Sequence, residues 1–165
     1  WQDLFRKARR WLLSKEDDQL VLGDMSGYYY RVKHTVVGSS EREVKQIGEF
    51  EVEFTCNGYQ YLSKGQYEYD KDEVLYNPYS ISHPIYYITG NGKCTLTANG
   101  YDFTAEVGQN VTIDTDLMLA YRKDGRMMNT SVTGDYQELY LKEGDNTIEI
   151  TEGFGLKVIP NWRCL

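Results

Sequence analysis

Two carboxylates one residue apart on an extended chain share a face, so Asp114-Thr115-Asp116 could hold a divalent cation in the manner of a DxD motif. The plainer reading is that Asp114 ends a strand and Asp116 caps the turn after it, the usual work of Asp at turns. The other chemistry-bearing residues are sparse. Two histidines, His34 and His83, do not make a His-rich metal site, and neither lies in a GxSxG-like setting that would activate a serine. Cys56, Cys94 and Cys164 are widely spaced with no CxxC, so reduced thiols are expected in place of a zinc ribbon or a disulfide framework. No glycine loop suits a phosphate, and no spacing singles out the facing carboxylates of a glycosidase. Catalytic residues: none; metal ligands: none; cofactor: none. The chain is not expected to be an enzyme.

What remains are surfaces suited to contact. In Glu49-Phe50-Glu51-Val52-Glu53-Phe54-Thr55-Cys56 the alternation sends Phe50, Val52, Phe54 and Cys56 to one side and Glu49, Glu51 and Glu53 to the other. The glutamate face is either wet or set against a cationic partner. Tyr59, Tyr61, Tyr67, Tyr69, Tyr76 and Tyr79 crowd residues 57–79, a polar stretch that reads as a linker with short edge strands. Such rings stack on sugars, yet tyrosine enrichment is more typical of protein interfaces. Tyr59, Tyr61, Tyr76 and Tyr79 are therefore candidate interface residues together with the three glutamates. Arg6, Lys7, Arg9 and Arg10 read as the solvated face of a helix, with cations suited to its C-terminal end.

The elements that carry these residues follow from periodicity. Trp1, Leu4, Phe5, Ala8, Trp11 and Leu12 recur at helical steps, which predicts one amphipathic helix over residues 1–13. A polar turn over Ser14 to Asp18 follows, and then the period becomes two. His34 falls on the apolar-leaning face of a strand over 28–37, as a core or edge residue. Beyond Asn77-Pro78, the dipeptides Gly90-Asn91-Gly92, Asn99-Gly100, Asp124-Gly125 and Gly144-Asp145-Asn146 punctuate short strands at the spacing of a β-sandwich. Asn99-Gly100 is the strongest hairpin signal. Inward candidates are Ile85, Tyr87, Cys94, Leu96, Ala98, Val111, Ile113, Leu117, Leu119, Tyr121, Ile148, Ile150, Leu156 and Val158. The expected fold is mainly β: a helix with a partial sheet or sandwich over residues 1–77, then a β-sandwich over 78–165.

Composition narrows the partners. Among 165 residues, 18 Lys and Arg stand against 25 Asp and Glu, a formal charge of −7, so no nucleic-acid partner is expected. No apolar run approaches the roughly 20 residues of a bilayer span, and no membrane partner is expected. Aromatics at 14%, with 15 tyrosines, indicate a folded, interface-rich chain, not a disordered one.

The order of elements resembles the distal tail protein (Dit) family of long-tailed siphophages. The likeness runs through the helix ending Trp11-Leu12-Leu13, then Gln19-Leu20-Val21-Leu22, Tyr28-Tyr29-Tyr30-Arg31-Val32 and Gly48 to Cys56. It continues through Asn77-Pro78, His83-Pro84-Ile85-Tyr86-Tyr87-Ile88-Thr89-Gly90, Thr112-Ile113-Asp114, Glu143-Gly144-Asp145-Asn146-Thr147-Ile148 and Trp162-Arg163. It spans essentially the whole chain and lies in the order of its motifs. The resemblance implies a ring-forming N-terminal domain and a galectin-like C-terminal β-sandwich. It also implies self-association of the full-length protein into a hexameric ring joining the tail tube to the tail-associated tip protein and the adhesion apparatus. The location implied is the tail tip of the virion, after synthesis in the bacterial host cytoplasm. The family's strands preceding the helix have no counterpart here, so the expectation is a fragment of a longer chain. No insertion of carbohydrate-module size fits between Pro78 and Leu165. A carbohydrate-binding module for host-surface attachment is the alternative function.

Overall fold

The computed structural model describes residues 1–14, 18–44 and 47–165, with the backbone alone for 40–44 and 47; Lys15, Glu16 and Asp17 of the expected polar turn lie outside the described residues. The fold is mainly β, with one N-terminal helix and antiparallel sheets. The chain divides into two compact units, Trp1–Gln60 and Tyr61–Leu165.

In the first unit, helix α1 (Gln2–Leu12) is followed by strands β1 (Gln19–Leu20), β2 (Tyr28–Val44) and β3 (Ile47–Leu62), of which Tyr61 and Leu62 belong to the second unit. The helix forms where the periodicity places it, but its covered stripe is narrower than expected. Trp1, Phe5, Ala8 and Leu12 are half-buried, whereas Leu4 and Trp11 are exposed by 65% and 74%. The covered positions step by four, three and four, which is a single narrow stripe on a helix. Phe5 meets Phe50 of β3 edge to face, with ring centroids 5.0 Å apart, and Trp1 stacks on Phe5. β1 pairs antiparallel with β2, Gln19 opposite Arg31 and Leu20 opposite Tyr30. Gln60 hydrogen-bonds the Tyr30 hydroxyl. Among the described residues of this unit, Tyr29 is the only one fully buried.

The second unit is built on one large antiparallel sheet. The unit's strands are β4 (Tyr76–Asn77), β5 (Ile85–Ala98), β6 (Tyr101–Asp114), β7 (Leu119–Tyr121), β8 (Val132–Thr133), β9 (Gly144–Asp145), β10 (Ile148–Ile150), β11 (Gly155–Ile159) and β12 (Arg163–Cys164), of which β5, β6, β7, β8, β10 and β11 form that sheet. β5 and β6 form the central hairpin, paired from Ile85 opposite Asp114 to Ala98 opposite Tyr101. β10 and β11 pair with the outer edge of β5, and β7 and β8 with that of β6. The tip is the expected one: Asn99 (φ +52°) and Gly100 (φ +84°) both take the left-handed conformation that a two-residue turn requires.

One face of this sheet is the core. Tyr86, Ile88, Cys94, Leu96 and Ala98 of β5 lie against Phe103, Ala105, Val107, Val111 and Ile113 of β6, all buried. Val74, Leu139, Leu141, Ile148 and Val158 complete it. The Tyr86 hydroxyl satisfies itself on the Leu139 carbonyl at 2.7 Å, since a buried phenol needs a partner. The 3-10 turn Tyr136–Leu139, with buried Leu139, packs against both β5 and β6.

Several expectations are corrected. Residues 61–77, expected with the first domain, are held to the second unit: Leu62 N–H donates to the Trp162 carbonyl, Tyr69 exchanges backbone bonds with Val158, and the Asn77 amide donates to the Leu141 carbonyl. Residues 57–62, part of the stretch read as a linker with short edge strands, are the end of the long strand β3. Gly90-Asn91-Gly92 is not a turn, because β5 runs through it with Gly90 opposite Gln109. Gly90 serves a different need: a Cβ there would fall 2.3 Å from the Phe154 ring that packs on it. Glu138 to Leu141 is not a strand, since a 3-10 turn spans Tyr136–Leu139. Ile85 and Tyr87 face away from the core and Leu117 is 63% exposed.

Candidate functional site

The glutamate row forms as its alternation requires. Glu49, Glu51 and Glu53 are exposed, while Phe50, Val52, Phe54 and Cys56 are half-buried on the helix side. Burial raises the Cys56 thiol above its ordinary range, which keeps it protonated and unreactive. On the helix, Arg6, Lys7, Arg9 and Arg10 are exposed, and Arg6 lies 3.4 Å from Asp3 in a solvated pair that contributes little to stability.

Beside the end of α1 the first unit holds a cleft of about 680 Å³. Trp11 and Leu12 of the helix, Leu20 of β1, Val32 and His34 of β2, and Phe54 of β3 line it. His34 therefore stands at an exposed edge of an apolar cleft and not in a core. The sequence carried one trace of this space: the apolar stripe of the helix extends to Trp11, which the fold leaves 74% exposed.

The four candidate tyrosines do not gather into one platform. Tyr59 is half-buried on β3, and Tyr61 is buried, 3% exposed. Tyr76 stands out from β4 at 62% exposure, as does Tyr67 at 64%. Tyr79 joins an aromatic cluster that the sequence did not disclose, with Trp162 6.1 Å away and Tyr69 5.2 Å beyond it. The Lys64 ammonium sits 5.3 Å from the Tyr79 ring and 5.7 Å from Trp162, a cation–π contact within the chain.

The carboxylates of the DxD run separate. Asp114, 6% exposed, accepts from the backbone N–H of Asp116 and Leu117 and so caps its own turn. Asp116 turns to His83, with Oδ1 2.7 Å from Nδ1. His83 stacks on Tyr140 with centroids 4.0 Å apart, and Arg163 reaches the other ring nitrogen at 2.9 Å. Burial and the nearby Asp116 charge raise the Tyr140 phenol above its usual range, against the pull of Arg163. No serine or cysteine nucleophile is bonded to this imidazole among the described residues, and both its nitrogens are occupied by Asp116 and Arg163, so the cluster is built to fasten segments together.

Among the described residues, no group of three or more His, Cys, Asp or Glu could hold a metal ion. None of the described helices is long and apolar enough to cross a membrane. The molecule presents an acidic strand face, a basic helix face and an apolar cleft in the first unit, and exposed tyrosines in the second. Comparison with protein-family models, with curated proteins and with solved structures finds no match to this chain.

Proposed function

We propose that this chain is a structural, non-enzymatic component of a siphophage tail tip, a distal tail protein. In this reading it self-associates into a hexameric ring that joins the tail tube to the tail-associated tip protein and the adhesion apparatus. The second unit then corresponds to that family's galectin-like domain. Its place is the virion, at the tail tip, after synthesis in the bacterial host cytoplasm. The order of sequence elements supports the reading, and one observation carries it: the first unit buries only Tyr29 fully among its described residues, while charged and apolar faces stand open beside one another. A unit with so small a core gains its stability from contacts in an assembly. Light scattering across concentration tests this. A mass rising to six chains supports it, and strict monomers at every concentration overturn it.

Exposed Tyr67 and Tyr76 favour a second reading, a carbohydrate-binding module for host-surface attachment. A glycan array with no binding removes it.

A further inference from the structure

The charges of the first unit stand on opposite sides of it. Phe5 of the helix meets Phe50 of β3 edge to face, so the helix lies on the Phe50 side of the strand, and Glu49, Glu51 and Glu53 point from the other side. On the helix, the covered stripe runs through Trp1, Phe5, Ala8 and Leu12. Helical geometry then sets Arg10 nearly opposite that stripe and Lys7 next to it, away from the sheet, with Arg9 on the flank. Arg6 is answered by Asp3 at 3.4 Å. Lys7, Arg9, Arg10, Glu49, Glu51 and Glu53 are all exposed, and none of them is in an ion pair among the described residues.

Each row repels itself. Side chains two residues apart on a strand lie about 7 Å from one another, within the screening length of about 8 Å at physiological salt, so the glutamates oppose each other. Lys7, Arg9 and Arg10, crowded onto little more than one helical turn, do the same. The rows cannot relieve each other within one chain, because the helix and the sheet lie between them. Between copies they can. A face of one sign does not pair with its own kind, which excludes a two-fold contact of either face on itself. Since the two faces look in opposite directions, a pair of copies cannot satisfy both at once. The contact that fits is head to tail, repeated from copy to copy.

We propose that the basic face of α1 in one copy, Lys7, Arg9 and Arg10, docks on the acidic face of β3, Glu49, Glu51 and Glu53, in a second copy of this chain. Leu4 and Trp11, exposed by 65% and 74%, lie three and four residues from Lys7, hence on its side of the helix, and add apolar area to the contact. A contact repeated in this way closes into a ring or runs on as a filament, and the rotation at each step decides between them. Exposed ion pairs are individually weak, so association depends on concentration and on salt. The proposal deepens the assembly reading above and rests on it for self-association alone; the number six is no part of it.

The test is light scattering on the whole chain and on two variants, one carrying Lys7→Glu, Arg9→Glu and Arg10→Glu, the other Glu49→Lys, Glu51→Lys and Glu53→Lys. The unaltered chain should rise in mass with concentration, and association should weaken about tenfold from low to high salt. Each variant alone should stay monomeric where the unaltered chain assembles, because both its faces then carry one sign. An equimolar mixture of the two should assemble, since every acidic face then meets a basic one, and misfolded variants would not rescue each other. Salt on the unaltered chain keeps the test independent of how the variants fold. Assembly indifferent to salt, a variant that assembles alone as well as the unaltered chain, or a mixture that stays monomeric overturns the proposal and leaves the ring reading in place. Salt-dependent assembly with mutual rescue that ends at a number of copies other than six upholds the proposal and overturns the hexamer. Strict monomers of the unaltered chain at every concentration overturn both.

Discussion

Arg163 Nη2 lies 2.9 Å from Nε2 of His83, and because a guanidinium only donates, the imidazole must accept there. The ring proton is therefore on Nδ1, where it donates to Asp116 Oδ1 at 2.7 Å. Arg163 is itself buried, 8% exposed, and donates Nε–H to the Ile81 carbonyl at 2.7 Å. Strand β12, the turn after β6 and the segment before β5 are thus fastened through one neutral histidine.

His83→Ala should lower the stability of the second unit by about 1–3 kcal/mol, since it removes an acceptor from a buried charge. Denaturant midpoints measure this. An unchanged midpoint would mean that water replaces the imidazole at no cost.

Phe103→Ala should cost about 3–5 kcal/mol, because the ring is 1% exposed and packs edge to face on Tyr136 at 5.0 Å. Phe54→Ala should cost less, since Phe54 is half-buried and borders open cleft space. Thermal melts of the two variants give the order, and equal losses would place Phe54 in a core.

Stability should fall at alkaline pH, with Tyr86 a principal cause. Burial pushes its phenol well above the ordinary tyrosine value of about 10, so the unfolded chain releases that proton first. The folded state then binds more protons than the unfolded one. The stabilisation is whole below the unfolded value and is lost as pH rises through the folded one. Tyr86→Phe should flatten the decline measured between about pH 9 and 11, leaving the smaller part due to Tyr121, Tyr136 and Tyr140, which are also raised. An unaltered slope would mean that Tyr86 is not retained neutral.

Replacing Glu49, Glu51 and Glu53 by Gln should leave folding nearly unchanged, because all three are exposed. If this face meets a cationic partner, complex formation should weaken, most at low salt. Assembly insensitive to both the substitutions and salt would show that the row is only solvated.

These outcomes turn on elements of unequal legibility. Glu49 to Cys56 alternates strictly, so its two faces could be read directly, and Asn99-Gly100 announces a turn because few residue pairs accept positive φ twice in succession. Ile85-Tyr86-Tyr87-Ile88 offers no such contrast: four apolar residues in a row leave the parity open, and the ladder to β6 decides that Tyr86 and Ile88 go inward. Gly90 and Gly92 mimic a turn because glycine suits both a turn and a close approach, and only the position of Phe154 separates the two. The cleft beside Trp11 and the His83 cluster were hidden for another reason. They join residues far apart in the chain, and periodicity is a local signal.

The β5–β6 hairpin also bears on how the second unit is reached from the unfolded chain. Fourteen residues on each side pair in unbroken register about a two-residue turn, so each rung closes only a slightly longer loop than the one before. A ladder of that kind zips from its tip on the timescale of about 1–10 μs. β10 and β11 arrive from distant sequence and find the edge of β5 already laid out, while β12 waits on the last residues of the chain. The hairpin is thus the natural nucleus, and the slow events are the return of the C-terminal strands to it.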